Sequence, residues 1–212
     1  HQPVLAEHGL VLPQGMKALR QGVPELLDDA SNELLGSTRL LLQDEMALLA
    51  QLQQRIDTLD RQIKAQAQAN PTCQRLQQLP GVGPQTASAL VAQIDRAQQF
   101  ENSRQLPAAV GVVPRQHSSG GKSVLLGITK RGNEYLRWLF IHGARSVIKA
   151  QRLKPAEQQD PWIHKMLQTK HANVVAVALA ARTMRRAWAL LRYDSHYQPG
   201  YCGAGRDLAT VS

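Results

Sequence analysis

Cysteine is scarce in this chain. Cys73 and Cys202 are the two present, far apart and outside any spacing that serves a zinc site or a redox pair. That excludes a disulfide-stapled scaffold and a zinc ribbon, and it suits a reducing compartment. Aromatic residues are also few, at 4% of the sequence. With Ala, Leu and Gln abundant, this composition favours helix over strand. No apolar run approaches the length of a membrane span, and the N-terminus carries no signal-peptide pattern. There is no internal repeat. The first residue is His1 rather than Met, as expected of a piece of a longer protein.

What is present is enough apolar residue, 43% of 212, for a real core. The charge is uneven. Residues 1–70 hold six Lys/Arg against nine Asp/Glu, whereas residues 71–212 hold nineteen against seven. A basic domain behind a mildly acidic arm points to a polyanionic partner, unless the cations only solvate a surface.

Along the chain, Pro3, Gly9, Pro13, Gly15, Gly22 and Pro24 predict a loop-rich lead-in over residues 1–24. A short helix is expected over 25–35 and a long one over 38–69. In the latter, Leu42, Leu49, Ile56 and Ile63 recur every seven residues, with Leu52 and Leu59 at alternate positions. This is a coiled-coil seam, formed either between chains or in an intrachain hairpin. At 1.5 Å per residue this long helix, the main part of the arm over residues 25–70, would be about 45 Å long. Asn70-Pro71 ends it. A compact helical domain over 71–193 follows, with helices expected near 84–94, 103–113, 133–150 and 161–191, and a loop over 117–127. Val174, Val177, Ala178, Ala181 and Trp188 are the candidate core of the last helix. Residues 194–212 are expected to form a mobile tail. The fold class is therefore mainly α.

Two segments offer chemistry. The first is Leu79-Pro80-Gly81-Val82-Gly83-Pro84-Gln85-Thr86-Ala87. Pro84 suits a first helical turn, and the glycines permit close backbone approach. Amides at the new helix start suit a phosphate. The pattern is either a helix-hairpin-helix element gripping nucleic-acid backbone, through Gly81, Val82, Gly83, Gln85 and Thr86, or an ordinary tight connection. The second runs from Gly111-Val112-Val113-Pro114-Arg115-Gln116-His117-Ser118-Ser119-Gly120-Gly121-Lys122 into Gly127-Ile128-Thr129-Lys130-Arg131-Gly132-Asn133-Glu134-Tyr135-Leu136-Arg137. A serine attacking phosphorus needs exposure, a route for its proton, and positive charge around the phosphoryl oxygens. Arg115, Lys122, Lys130 and Arg131 are suited to supply that charge, with Arg137 beyond them. His117 either assists the proton or merely hydrogen-bonds. By residue type alone the segment also fits a flexible connector. Arg182, Arg185 and Arg186 share a stripe of the last helix, as a phosphate-binding or a solvated face.

Taken together, in this order and spacing, the Pro-Gly-Val-Gly-Pro-Gln-Thr-Ala turn, the Gly-Val-Val-Pro-Arg-Gln-His-Ser-Ser-Gly-Gly-Lys segment and the Gly-Ile-Thr-Lys-Arg-Gly-Asn-Glu-Tyr-Leu-Arg segment resemble the C-terminal transposase domain of the insertion sequence one-ten family, relatives of the Piv/MooV DNA invertases. With the coiled-coil linker, the resemblance covers most of residues 25–192. It implies a bacterial, cytoplasmic recombinase whose N-terminal RuvC-like half binds divalent metal such as magnesium through four acidic residues. Its C-terminal half carries a serine that links covalently to DNA. The family pattern places that serine at Ser119, with Ser118 as the fallback. It further implies DNA as substrate, a structured non-coding guide RNA as a partner of some members, and homo-oligomers of two or four chains.

The sequence departs from the family upstream of residue 25, where nothing is long enough for a RuvC-like fold. Asp28, Asp29 and Glu33 do not replace the acidic quartet. No metal site or cofactor is therefore expected on these residues, and the chain alone is expected not to complete recombination. The competing readings are a non-catalytic helix-hairpin-helix DNA-binding or architectural module, and a coiled-coil assembly protein.

Overall fold

A computed structural model describes residues 11–32, 34–94, 97–119 and 122–198, and of residues 115–126 the main chain alone. The fold is mainly helical, as expected. It divides into two compact units, His1–Arg61 and Gln62–Ser212.

In the first unit, helix α1 (Met16–Asp28) precedes the long helix α2 (Gly36–Ala69). The lead-in predicted as loop up to residue 24 is thus helical from Met16. Pro24 sits inside α1. It is exposed, so the carbonyl it leaves without an amide faces water. The offsetting gain is burial: Val23 is enclosed with Leu34 and Leu42, and Leu19, Leu26, Leu27 and Met46 pack around them. Arg39 fastens the connection, donating to the carbonyls of Leu27 (2.8 Å) and Asp29 (2.8 Å) and to Asn32 Oδ1. Only the Leu42 end of the α2 seam is covered in this way. Leu52, Ile56 and Leu59 remain 48%, 52% and 49% exposed.

The second unit begins with the last turns of α2, where Ala67 is buried. Asn70 ends that helix and caps the next, accepting from the amides of Thr72 (2.9 Å) and Cys73 (3.2 Å) at the start of α3 (Pro71–Gln77). Then come α4 (Pro84–Ile94), α5 (Gln105–Val110), strands β1 (Pro114–Ser119) and β2 (Lys122–Ile128), α6 (Glu134–Arg152), a single 3₁₀ turn (Ala156–Gln158), α7 (Pro161–Thr169) and α8 (Ala172–Tyr193). Helix α8 is the spine, contacted by α3, α5, α6 and α7. Its buried stripe is Val175, Ala176, Leu179, Ala180, Thr183, Met184, Ala187 and Trp188. The expected core is offset from this: Val174 is exposed and Val177, Ala178 and Ala181 are only partly buried. Ala and Val occupy so many α8 positions that hydropathy alone does not fix which side faces inward.

Two further expectations are corrected. The helix predicted over 161–191 is two helices, broken at extended Lys170 and restarted at His171, whose ring accepts from the Asn173 amide (3.2 Å). The segment predicted as a loop over 117–127 is an antiparallel hairpin, with Ser119 opposite Lys122, Ser118 opposite Ser123 and His117 opposite Val124. Its second strand is Lys-Ser-Val-Leu-Leu-Gly-Ile, and Gly-Gly between strands is a recognised hairpin signal. The tail is held at its start. Asp194 pairs with Arg75, which also donates to the Asp194 carbonyl (3.0 Å), and the Tyr197 amide donates to Gln78 Oε1 (3.1 Å). Residues 199–212 lie outside the described part.

Candidate nucleic-acid interface

The glycine-rich turn joins α3 to α4 in six residues, 78–83. The amide of Leu79 donates to the Leu76 carbonyl (3.0 Å) and that of Val82 to the Leu79 carbonyl (3.0 Å). The first bond of the new helix runs from the Ala87 amide to the Gly83 carbonyl (2.9 Å). The positive main-chain end of α4 therefore opens at residues 83–86. The two glycines differ in what they do. Gly81 has φ +82°, and a Cβ there would lie 2.8 Å from the Gly143 carbonyl oxygen, so its freedom serves packing against α6. Gly83 has open space where a Cβ would be, and it is exposed. Val82 and Thr86 are buried. Neither side chain is a surface group, so a ligand contact from these two residues would come through the main chain.

The second cluster surrounds the base of the hairpin. The Thr129 amide donates to the Val113 carbonyl (3.0 Å) and the Lys130 amide to the Gly111 carbonyl (3.1 Å). Lys130 takes a left-handed conformation (φ 56°), and both Lys130 and Arg131 are exposed. Gly111 and Gly132, both at positive φ, press against the main chain of Arg131 and Ala109 respectively. Any side chain at either position would force the two strands of chain apart. Asn133 completes the anchor: it caps α6 by accepting from the Leu136 amide (2.9 Å) and donates to Gln93 Oε1 at the end of α4.

Arg137 is not a free cation here. Its Nη1 donates to the Val110 carbonyl (3.0 Å) and lies 3.5 Å from the Arg131 carbonyl. It holds the cationic loop against α5, which positions Lys130 and Arg131. On α8, Arg182 lies over the Trp162 ring (4.9 Å) and Arg186 over the Tyr197 ring (5.5 Å), leaving Arg185 as the exposed member of the predicted stripe. The side chains of Arg115, His117, Ser118, Ser119 and Lys122 lie outside the described part. Their main chain forms the distal half of the hairpin.

The predicted residues therefore fall into two places. Lys130, Arg131, Arg137 and the hairpin base come together at the N-terminal end of α6. The turn packs ten residues further along the same helix, at Gly143, which is about 15 Å away at 1.5 Å per residue. Gly143 and Asn133 escaped the sequence reading. An isolated glycine within a helical pattern was the available signal for the first, and an Asn directly before such a pattern for the second.

Residues 73–159, which contain the turn, the hairpin, the cationic loop and all of α6, match the family model described as Transposase IS116/IS110/IS902 family. The chain is 46% identical over 205 residues to a Pseudomonas aeruginosa protein named "Probable family 20 transposase", covering 93% of this chain and 58% of that one. It is 39% identical over 204 residues to the "Transposase for insertion sequence element IS1111A" of Coxiella burnetii, covering 95% and 54%. To the "Transposase for insertion sequence element IS1328" of Yersinia enterocolitica it is 36% identical over 187 residues, covering 87% and 54%. It thus spans about half the length of the curated relatives it matches. On the strength of these matches, the chain belongs to the IS116/IS110/IS902 family of insertion-sequence transposases.

Proposed function

We propose that this chain supplies the DNA-gripping and strand-transferring part of an insertion-sequence transposase, with Ser119 as the nucleophile. The Ser119 hydroxyl attacks a backbone phosphorus and gives up its proton. The new Oγ–P bond replaces one P–O bond of the strand, and the departing sugar oxygen is protonated. The phosphoserine ester keeps the bond energy, so attack by another strand end reverses the step and rejoins DNA. Arg115, Lys122, Lys130 and Arg131 stabilise the phosphoryl oxygens. The observation that carries this reading is the hairpin base, bonded main chain to main chain beside exposed Lys130 and Arg131, within the segment that matches the family. The turn at residues 79–86 grips backbone phosphate as a helix-hairpin-helix element through the N-terminus of α4.

Among the described residues, no three His, Cys, Asp or Glu side chains converge as a metal site. A divalent ion would belong to the RuvC-like half of the whole transposase, and this chain alone would bind DNA without completing recombination. The uncovered α2 seam supports self-association, and a structured guide RNA is the further partner that the family suggests. Among the described residues no helix is long and apolar enough to cross a membrane.

Denaturing electrophoresis of the full-length transposase with cleavable DNA should reveal a covalent adduct. It should disappear in Ser119→Ala and persist in Ser118→Ala. An adduct on tyrosine, or active enzyme with none, overturns the serine assignment. If recombination is unaffected by Ser119→Ala while duplex binding persists, the chain is an architectural DNA-binding module instead, a reading favoured by the α3–turn–α4 arrangement.

A further inference from the structure

Helix α6 carries on one side Tyr135, Trp138, His142, Arg145 and Lys149, spaced three, four, three and four residues apart. At 3.6 residues per turn these five fall within one narrow stripe. All five are exposed; Tyr135 and Trp138 keep 51% and 55% of their surface in contact with solvent. The helix buries Leu136, Leu139, Phe140, Ala144 and Ile148 elsewhere. The Trp138 and His142 rings are stacked, 5.0 Å between centroids and 12° from parallel. This chain has very few aromatic residues, yet here two aromatics and an imidazole are spent on solvent.

We propose that this stripe is a stacking platform for an unpaired nucleic-acid strand, its bases lying on the Trp138–His142 and Tyr135 rings and its phosphates meeting Arg145 and Lys149. The proposal rests on the nucleic-acid reading above and adds a second, chemically distinct contact to it. Three observations carry it. The planes are exposed and already parallel, which is the arrangement an unstacked base extends. The flanking charge is complementary: Glu134 is the only acid in α6, against exposed Arg145, Lys149 and Arg152, and Lys130 and Arg131 precede the Tyr135 end. The stripe spans about 21 Å, enough for a few nucleotides. An intact duplex keeps its base faces stacked on each other and has no use for aromatic planes. A second copy of this helix is disfavoured as occupant, because pairing along the stripe would bring cations into a seam that normally holds aliphatic residues.

The test measures binding of the 212-residue chain to oligo(dT) and oligo(rU) of about twelve nucleotides, to an abasic strand of the same length, and to a blunt duplex. Trp138→Ala should weaken oligo(dT) and oligo(rU) binding on the order of ten-fold and leave the abasic strand and the duplex unchanged. Trp138→Phe should retain most of the affinity, and far-UV circular dichroism should match the parent. A loss confined to one of the two oligomers assigns the platform to that strand. Undiminished oligo(dT) and oligo(rU) binding in Trp138→Ala, or equal weakening on the abasic strand, overturns the proposal. A drop in mass on light scattering for Trp138→Ala overturns it in favour of a protein partner. If the unaltered chain binds neither strand nor duplex, the nucleic-acid reading itself fails; if it binds duplex and the Trp138 effect is missing, only the platform does.

Discussion

Gly81 and Gly143 meet backbone to backbone. A Cβ on Gly81 would lie 2.8 Å from the Gly143 carbonyl oxygen, and a Cβ on Gly143 would come closer still to the carbonyl oxygen of Gly81. The turn that opens α4 is thereby seated on α6, and the obstructing atoms are main chain, which cannot swing aside. Gly143→Ala should cost about 1–3 kcal/mol in urea unfolding. Gly81→Ala should cost a similar amount, its milder clash being joined by backbone strain at φ +82°. Gly83→Ala, with open space and no positive φ, should stay within about 0.5 kcal/mol of the parent. Equal losses at all three positions would mean the turn is not seated as described.

Arg137 and its neighbours Lys130 and Arg131 should separate by what they affect. Arg137 bonds two carbonyls, so Arg137→Ala should lower stability by about 1–3 kcal/mol. Arg137→Lys should recover part of that, because both contacts come from the single nitrogen Nη1, a role an ammonium can take if the shorter side chain reaches. Lys130→Ala and Arg131→Ala should leave unfolding unchanged. Each should reduce the slope of log affinity against log salt for duplex DNA by about one. A salt slope that falls in Arg137→Ala without loss of stability would make Arg137 a phosphate contact instead.

This division shows what sequence carries and what it does not. Lys130 and Arg131 are recognisable as cations from residue type, and their exposure follows from the turn residues beside them. Arg137 looks equivalent, and its partner Val110 is 27 residues away. Nothing local distinguishes a guanidinium committed to the main chain from one offered to a ligand. The same holds for Gly81: its conformational need is legible, but whether that need serves a ligand or a neighbouring helix depends on α6. Long periodic helices such as α2 were legible because a seven-residue repeat accumulates over many turns. Helix α1 was not, because Gly22 and Pro24 signal a break that burial of Val23 overrides. The hairpin was hidden by counting Ser, Gly and Lys as loop formers while the apolar run Val124-Leu125-Leu126 argued for pairing.

Burial raises the pKa of the Cys73 thiol above its ordinary 9.0, and the Ser88 hydroxyl partly opposes this. The folded state therefore holds the proton to higher pH than the unfolded chain does. Stability from this group is intact below the unfolded pKa, near 9, and declines as pH rises from there toward the folded value. Urea unfolding of the parent and Cys73→Ala should differ by a constant amount from pH 6 to 8, as read against the ordinary thiol range. The gap should then narrow as pH climbs past 9. A gap independent of pH would show that the thiol ionises as easily folded as unfolded. At neutral pH, Cys73 should also react slowly with thiol reagents, since the neutral form predominates.

The long helix poses the question of what covers Leu52, Ile56 and Leu59. Within its own unit α2 buries Leu42 against Val23 and then runs on with this apolar seam in water. Three half-exposed aliphatic residues at seam spacing are costly to leave solvated, and a second α2 provides matching knobs and holes. Replacing Leu52 and Ile56 together by Gln should lower the mass seen in light scattering to that of a single chain, with helix content at high concentration falling little. Leu42→Gln should act differently, destabilising the α1–α2 core by about 2–4 kcal/mol because that side chain is buried within the chain. If the Leu52/Ile56 variant keeps the parent's mass, the seam is not the oligomer contact. If the parent is itself a single chain at millimolar concentration, the repeat serves to stiffen an arm rather than to pair it.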